Sequence, residues 1–249
     1  MGLDLFDRSI FGIINDRAVS IEQKLQADVV FYHGRIHPAY FRNFRDFIED
    51  VRATSNPQYP AVAVFLRTGG GSAETAERMV TVLREHYSQV FFVVTDFAMS
   101  AGTILCMSGD KIFMDYASSL GPIDPQIPAP DTGEYVPALG YLDKVAEIAQ
   151  KGQLAPADVV LLKSLDLAKL ALFEQARDLS IDLLKKWLVD YKFKDWSFHR
   201  TTDPGTPVTP EEKLARAEEI ATALANHKKW RSHGRNLDKE SLKNLPALA

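Results

Sequence analysis

Two apolar runs each end in a turn of small residues, and this pairing constrains the chain more than any other feature. Ala61-Val62-Ala63-Val64-Phe65-Leu66 is continuously apolar, the pattern of a strand covered on both faces. The glycine stretch Thr68-Gly69-Gly70-Gly71-Ser72 follows at once, and then Ala76, Met79, Val80, Leu83 and Tyr87 fall at helical spacing. Val90-Phe91-Phe92-Val93-Val94 repeats the arrangement. Its turn, Ala98-Met99-Ser100-Ala101-Gly102, leads into a short apolar helix. Upstream, Asp28-Val29-Val30-Phe31-Tyr32 reads as a strand ending at His33-Gly34, and Tyr40, Phe41, Phe44, Phe47, Ile48 and Val51 as a helix that Asn56-Pro57 and Pro60 break. Lys111-Ile112-Phe113-Met114 predicts a further short strand. Strands alternating with helices in this way imply α/β layering with a parallel sheet.

The character changes after Gly121-Pro122-Ile123-Asp124-Pro125. Residues 127–137 are proline-rich and read as a loop, and the rest reads as helix, with one long helix over about 157–191. A second helix starts at Thr209-Pro210-Glu211-Glu212, with Thr209 as N-cap, Pro210 in the first turn and Glu212 placed to close a capping box. Residues 1–27 form an N-terminal arm, 28–200 the α/β domain, and 201–249 a helical tail that completes it. Leu3, Leu5, Phe6, Ile10, Phe11, Ile13 and Ile14 make the arm too apolar for a free tail. The expectation is a homo-oligomer of at least three chains with Phe6 or Phe11 in the interface.

Composition closes off several classes. With 249 residues and 46% apolar side chains the chain can bury a sizeable core. A formal net charge of −4 argues against nucleic acid as a partner. No window approaches the apolar length that spans a bilayer, and the N-terminus lacks a secretory pattern, so no integral membrane segment and a cytoplasmic location are expected. Cys106 is the single cysteine and sits among apolar neighbours, which reads as a buried packing thiol. No His/Cys/carboxylate spacing suggests a metal, and no cofactor is expected. The basic stretch from His227 to Arg235 reads as a solvated surface, and His33 as a structural hydrogen-bonder.

Each glycine turn presents backbone N–H groups at a helix start, where negative charge is stabilised. The first lacks the lysine of a phosphate loop and the spacing of a dinucleotide fingerprint. Ser100 opens the helix after the second. A serine there is ordinarily an N-cap, and it does not match the G-x-S-x-G elbow, because Ala98 occupies the first glycine position.

Taken in order, Thr68-Gly69-Gly70-Gly71, Ala98-Met99-Ser100-Ala101-Gly102-Thr103 and Leu120-Gly121-Pro122-Ile123-Asp124-Pro125-Gln126 resemble the Clp-peptidase class. The serine dehydrogenase proteinase branch, related to signal peptide peptidase A, is nearest. The resemblance covers roughly residues 28–190. It implies a crotonase/Clp-protease-like core of parallel strands and helices with a helical C-terminal extension. It also implies a ring-forming serine peptidase acting on peptide or protein substrates, with Ser100 as nucleophile. By the same resemblance Gly70 and Ala101 supply the oxyanion amides and Gly71 permits close approach, while Gly69 stands where the family usually has proline.

The general base is left open by the residues. The Clp peptidase has a histidine about 25 residues after its serine, where this chain has Asp124, a poor base at neutral pH. Related signal-peptide peptidases use lysine. Leu162, Leu165, Lys169, Leu172, Ala176, Leu179 and Leu183 share one helical face, so Lys169 is expected desolvated within an apolar stripe. Lys163 and Lys144 are weaker candidates. His233, in the stretch where the Clp peptidase places its triad acid, is the rival. Two alternatives remain: an acyl-transfer or thioester enzyme of the crotonase type, and a peptidase-like binding subunit without activity.

Overall fold

The computed structural model describes residues 5–128, 135–199 and 203–243. The chain is a mixed α/β protein built on a parallel sheet. Helix α1 (Leu5–Leu25) leads into β1 (Ala27–His33). Then follow α2 (Pro38–Thr54), β2 (Ala61–Thr68), α3 (Ala73–His86), β3 (Gln89–Ala98), α4 (Ala101–Met107) and β4 (Lys111–Met114). The strands run β1-β2-β3-β4, all parallel, and the two-residue β5 (Ser119–Leu120) pairs with the far end of β3. Parallel neighbours place all strand C-termini along one edge of the sheet, and the loops there form the site.

The two predicted apolar strands are central because nearly every side chain in them is covered. Val62, Val64 and Leu66 of β2 and Val90, Phe92 and Val94 of β3 join one core with Phe44 and Ile48 of α2 and Met79, Val80 and Leu83 of α3. Each such side chain contributes about 1.5–3 kcal/mol on leaving water. The opposite sheet face carries a smaller cluster of Ala27, Ala61, Ala63 and Phe91, closed by Leu25 at the end of α1. Cys106 lies fully inside the core, and burial pushes its thiol up to about 12, the behaviour of a packing residue.

The segment expected as a loop over 127–137 contributes a small antiparallel pair, β6 (Gln126–Pro128) with β7 (Tyr135–Pro137), and α5 (Ala138–Ala149) follows. The single helix expected over 157–191 is two helices, α6 (Pro156–Ser164) and α7 (Leu167–Trp187). The break has a local cause. Asp166 leaves helical geometry, and its carboxylate accepts from the amides of Ala168 (2.9 Å) and Lys169 (3.4 Å), starting a new helix. A π-turn, Leu188–Lys192, ends α7. Helix α8 (Pro210–Ala225) begins with the predicted capping box: Thr209 Oγ1 accepts from the Glu212 amide and Glu212 accepts from the Thr209 amide. Ala217, Ile220, Ala221 and Leu224 of α8 enter the main core, as do Trp230 of α9 (His227–Trp230) and Leu242 of α10 (Lys239–Lys243). Among the described residues no helix is long and apolar enough to cross a membrane.

One buried polar contact crosses the core. Tyr87, which ends α3, donates its hydroxyl to Asp28 Oδ2 on β1 at 2.8 Å, and both residues are 2% exposed. Burial, and then the Asp28 carboxylate, raise the phenol pKa above its ordinary value. Removing the donor leaves a buried carboxylate short of a partner, so Tyr87→Phe is expected to cost about 1–3 kcal/mol. Urea unfolding at unchanged slope checks this. A midpoint equal to that of the unsubstituted chain would show that the contact carries no weight.

Candidate active site

Register brings the two glycine turns together. Thr68 at the end of β2 pairs with Ala98 at the end of β3, and the Met99 amide donates to the Thr68 carbonyl at 3.0 Å. A Cβ added to Gly70 would lie 2.9 Å from Ser100 Cβ and 2.7 Å from the Met99 carbonyl oxygen, so this backbone passes beside the serine only because it has no side chain. Gly71 is held from the other side. The Ile36 amide donates to the Gly70 carbonyl and the Ser72 amide to the Ile36 carbonyl, making one rung of parallel pairing.

Ser100 occupies the N-cap position of α4, yet its hydroxyl makes no capping hydrogen bond. Its backbone lies at φ 51°, a conformation that costs a non-glycine residue of order 1–3 kcal/mol and is held by its surroundings. The hydroxyl is therefore not accounted for by helix capping. Beside it, Ala101 opens α4, so its N–H has no acceptor one turn back. The Gly70 N–H donates to Thr68 Oγ1 at 3.1 Å, so one of the two expected oxyanion amides is engaged by a buried neutral hydroxyl.

Ser100 opens onto a cavity of about 550 Å³, whose lining includes Gly69, Gly71, Ala101, His37 and His233. His233 Nδ1 lies 3.0 Å from Asp124 Oδ1, and Asp124 is 1% exposed. With Nδ1 on the carboxylate, Nε2 is the ring nitrogen left to face the cavity. The pair is brought together by the C-terminal segment. Leu237 exchanges both backbone hydrogen bonds with Leu120 (3.0 and 2.8 Å), and the Ile123 amide donates to the Leu224 carbonyl at 3.1 Å. These rungs hold the residue 233 turn against the 121–125 loop.

Lys169 is placed elsewhere. It sits in the first turn of α7, exposed, and is not among the cavity-lining residues. Its expected desolvation is corrected: further along the same face Ala176 and Leu179 line the cavity and Leu183 is buried, but the first turns of α7 are exposed, Leu172 by 60%. The face of α7 that packs inward carries Leu170, Leu183, Leu184 and Trp187. Lys163 and Lys144 are also exposed, and Lys144 pairs with Glu147 at 3.0 Å. Part of the basic stretch is spent locally, His227 and Lys228 both reaching Asp143 at 2.8 Å. His33 contacts Arg67, which pairs with Asp96.

Sequence reasoning missed His37. It lines the cavity while its Nδ1 accepts from the Ala39 amide as the N-cap of α2. Its place before Pro38 was the available signal, and it pointed only to a helix start. Among the described residues no three His, Cys, Asp or Glu side chains converge to hold a metal ion.

A family model described as ClpP-like SDH-type serine proteinase matches residues 39–207. Two uncharacterised proteins of Methanocaldococcus jannaschii are similar. One is 32% identical over 180 residues, covering 70% of this chain and 59% of its own length. The other is 30% identical over 160 residues, covering 64% and 51%. The chain thus spans less than two thirds of either relative. Among solved structures, a mutant of 1510-N, a membrane-bound stomatin-specific protease, gives a TM-score of 0.43 at 17% identity, covering 76% of this chain and 75% of that one. The ClpP protease catalytic domain of Plasmodium falciparum gives 0.31 at 9% identity, covering 40% and 60%.

The Gly71 backbone makes a sharp prediction. A Cβ there would fall 1.9 Å from the Ile36 carbonyl oxygen, with φ at 148°, and backbone cannot yield as a side chain does. Gly71→Ala is expected to break the Ile36 rung, lower stability by about 1–3 kcal/mol and distort the cavity wall. A thermal melt at the unsubstituted temperature would overturn this.

Proposed function

The chain belongs to the ClpP-like SDH-type serine proteinases, and from that premise we propose that it cleaves peptide bonds with Ser100 as nucleophile, His233 as general base and Asp124 as the group that holds the imidazole. The observation that carries this reading is the shared cavity. An uncapped serine hydroxyl on a strained residue opens into the same space as a histidine whose far nitrogen rests on a buried carboxylate.

In the proposed reaction Ser100 Oγ attacks the scissile carbonyl as His233 Nε2 takes its proton. Asp124 fixes the tautomer and stabilises the imidazolium that forms. The tetrahedral oxyanion is held by the amides of Gly70 and Ala101, Gly71 lining the approach, and the Thr68 hydroxyl gives up the Gly70 N–H as the oxyanion forms. Collapse breaks the C–N bond, and His233 passes its proton to the leaving amine. Water, deprotonated by the same imidazole, then releases the acyl group from Ser100. Lys169, exposed and outside the cavity, has no part in this scheme.

Labelling with a fluorophosphonate and cleavage of a fluorogenic peptide test the assignment. Ser100→Ala is expected to abolish both in a folded chain. His233→Ala should lower the rate by about 10²–10⁴, the usual worth of a positioned base. Lys169→Ala should stay within a few-fold of the unsubstituted enzyme. Loss of activity in Lys169→Ala with retention in His233→Ala would restore the lysine base and sink the triad.

The proposal extends to assembly. Helix α1 exposes Ile10, Phe11, Ile13 and Ile14, and the outer sheet face exposes Phe31 and Phe113. The Phe6 side chain lies outside the described residues. Exposed apolar side chains of this kind favour cover by a second copy. A homo-oligomer of at least three chains, with Phe11 in the interface, is expected by light scattering. The mass of one chain, unchanged on dilution, would end that idea.

A further inference from the structure

A second cavity, of about 530 Å³, lies along β4, the edge strand of the sheet. Its apolar lining comes from Met107 at the end of α4, Ile112, Phe113 and Met114 of β4, and Leu242 of α10. Its charged groups are Asp110, Lys111, Lys192, Lys239 and Lys243. Four ammonium groups around an apolar hollow is an unexpected arrangement in a chain of net charge −4.

Accounting for the charges shows which are spent. Asp110 Oδ2 accepts from Arg84 (2.8 Å) and from the Val90 amide (2.7 Å), and Asp110 Oδ1 is taken by Lys194. Both oxygens of the one lining carboxylate are therefore committed to groups outside the cavity lining. Lys243 pairs with Glu240 at 2.7 Å. Among the described residues, Lys111, Lys192 and Lys239 have no carboxylate within ion-pair distance.

Lys192 is the unusual member. It ends the π-turn after α7, where the Phe193 amide donates to the Leu188 carbonyl at 2.8 Å. Such wide turns recur where a side chain must be aimed at a site. Its ammonium donates to the Gly109 carbonyl at 2.8 Å, which satisfies one of three N–H groups and none of the charge. Desolvation brings its pKa down to about 8, and the charge of Asp110, whose oxygens are already taken, offsets this only in part.

We propose that this cavity is a binding site for a small organic anion with an apolar body, of the class of medium-chain monocarboxylates. The ligand carboxylate pairs directly with Lys192, which has no carboxylate within ion-pair distance, with Lys111 and Lys239 at the rim, and the chain lies against Met107, Ile112, Met114 and Leu242. A cavity of this size suits a ligand of that class. The site is independent of the peptidase chemistry, because none of its lining residues belongs to the Ser100 cavity.

Calorimetric titration of the full chain with octanoate tests this, with octanol as the neutral arm. Octanoate is expected to bind saturably, one per chain, and octanol at least about tenfold more weakly, a difference of about 1.4 kcal/mol. Lys192→Met should weaken octanoate about tenfold or more while keeping the fold, since it replaces a half-buried ammonium by an apolar chain of similar shape. The double variant Lys111→Ala/Lys239→Ala, altered only at exposed rim residues, should weaken it several-fold. Blocking Ser100 with a phosphonate should leave octanoate affinity unchanged. No saturable binding, equal affinity for octanol, equal affinity in Lys192→Met and the rim double variant, or loss of binding on Ser100 blockade would each overturn the assignment.

Discussion

The parallel pairing of β2 with β3 is the constraint on which the site depends. Because both strands run the same way and Thr68 meets Ala98, the two turns leave the sheet side by side. An antiparallel pair would have sent them to opposite ends. The Met99 amide on the Thr68 carbonyl then locks the second turn to the first, and the missing Cβ of Gly70 lets that backbone pass against Ser100. The strain in Ser100 is affordable because burial on both sides of these strands, at about 1.5–3 kcal/mol per large side chain, exceeds it several times over. Sheet order thus sets the local chemistry.

The histidine–aspartate pair follows from a different and weaker constraint. The two residues are 109 positions apart, joined by the antiparallel rung between Leu120 and Leu237 and by packing of α8 beneath the 121–125 loop. Compared with the Clp-peptidase pattern, an acid stands in the histidine's place and a histidine in the acid's. An imidazole–carboxylate hydrogen bond can be made with either member on either segment, so the exchange preserves the contact. It does not preserve the chemistry unless the imidazole is the member nearer the serine. Here His233 lines the cavity and Asp124 lies 1% exposed behind it, the order that the proposed reaction requires.

How much of this was legible depended on range. The strands, the glycine turns, the capping box at Thr209 and the buried Cys106 were readable because each rests on neighbours within a few residues. Ser100, Gly70 and Ala101 were singled out from the two turns, and their chemical roles rest on the proposal. Lys169 shares α7 with Ala176, Leu179 and Leu183, which do turn inward, but it sits in the helix's exposed first turn, and periodicity along one helix does not tell which turns reach the core. The Asp124–His233 contact had no local signature at all. Both residues were singled out separately, and nothing in periodicity or spacing could join them across 109 positions. His37 was hidden because its capping role fully explains its place before Pro38.

The hydrogen bond from the Gly70 amide to Thr68 Oγ1 has to be reconciled with a role in holding an oxyanion, and magnitudes decide it. A neutral amide–hydroxyl bond contributes about 0.5–1.5 kcal/mol net, whereas a bond to a full negative charge is roughly twice as strong. In the proposed reaction a developing oxyanion would therefore displace the hydroxyl, whereas a neutral ground-state carbonyl would gain nothing by doing so. In that reaction the Thr68 contact would withhold the amide until charge appears, which is the differential that accelerates a reaction rather than merely tightening substrate binding. It also satisfies an amide that would otherwise be buried without a partner in the free protein, and so steadies a loop in which Gly69 stands where the family usually has proline. The Thr68 methyl packs over Gly102, where an added Cβ would lie 2.4 Å from it, so the hydroxyl cannot swing away without disturbing the start of α4. On that proposal the exchange of partners at the Gly70 amide falls to the backbone of Gly70 rather than to the Thr68 side chain.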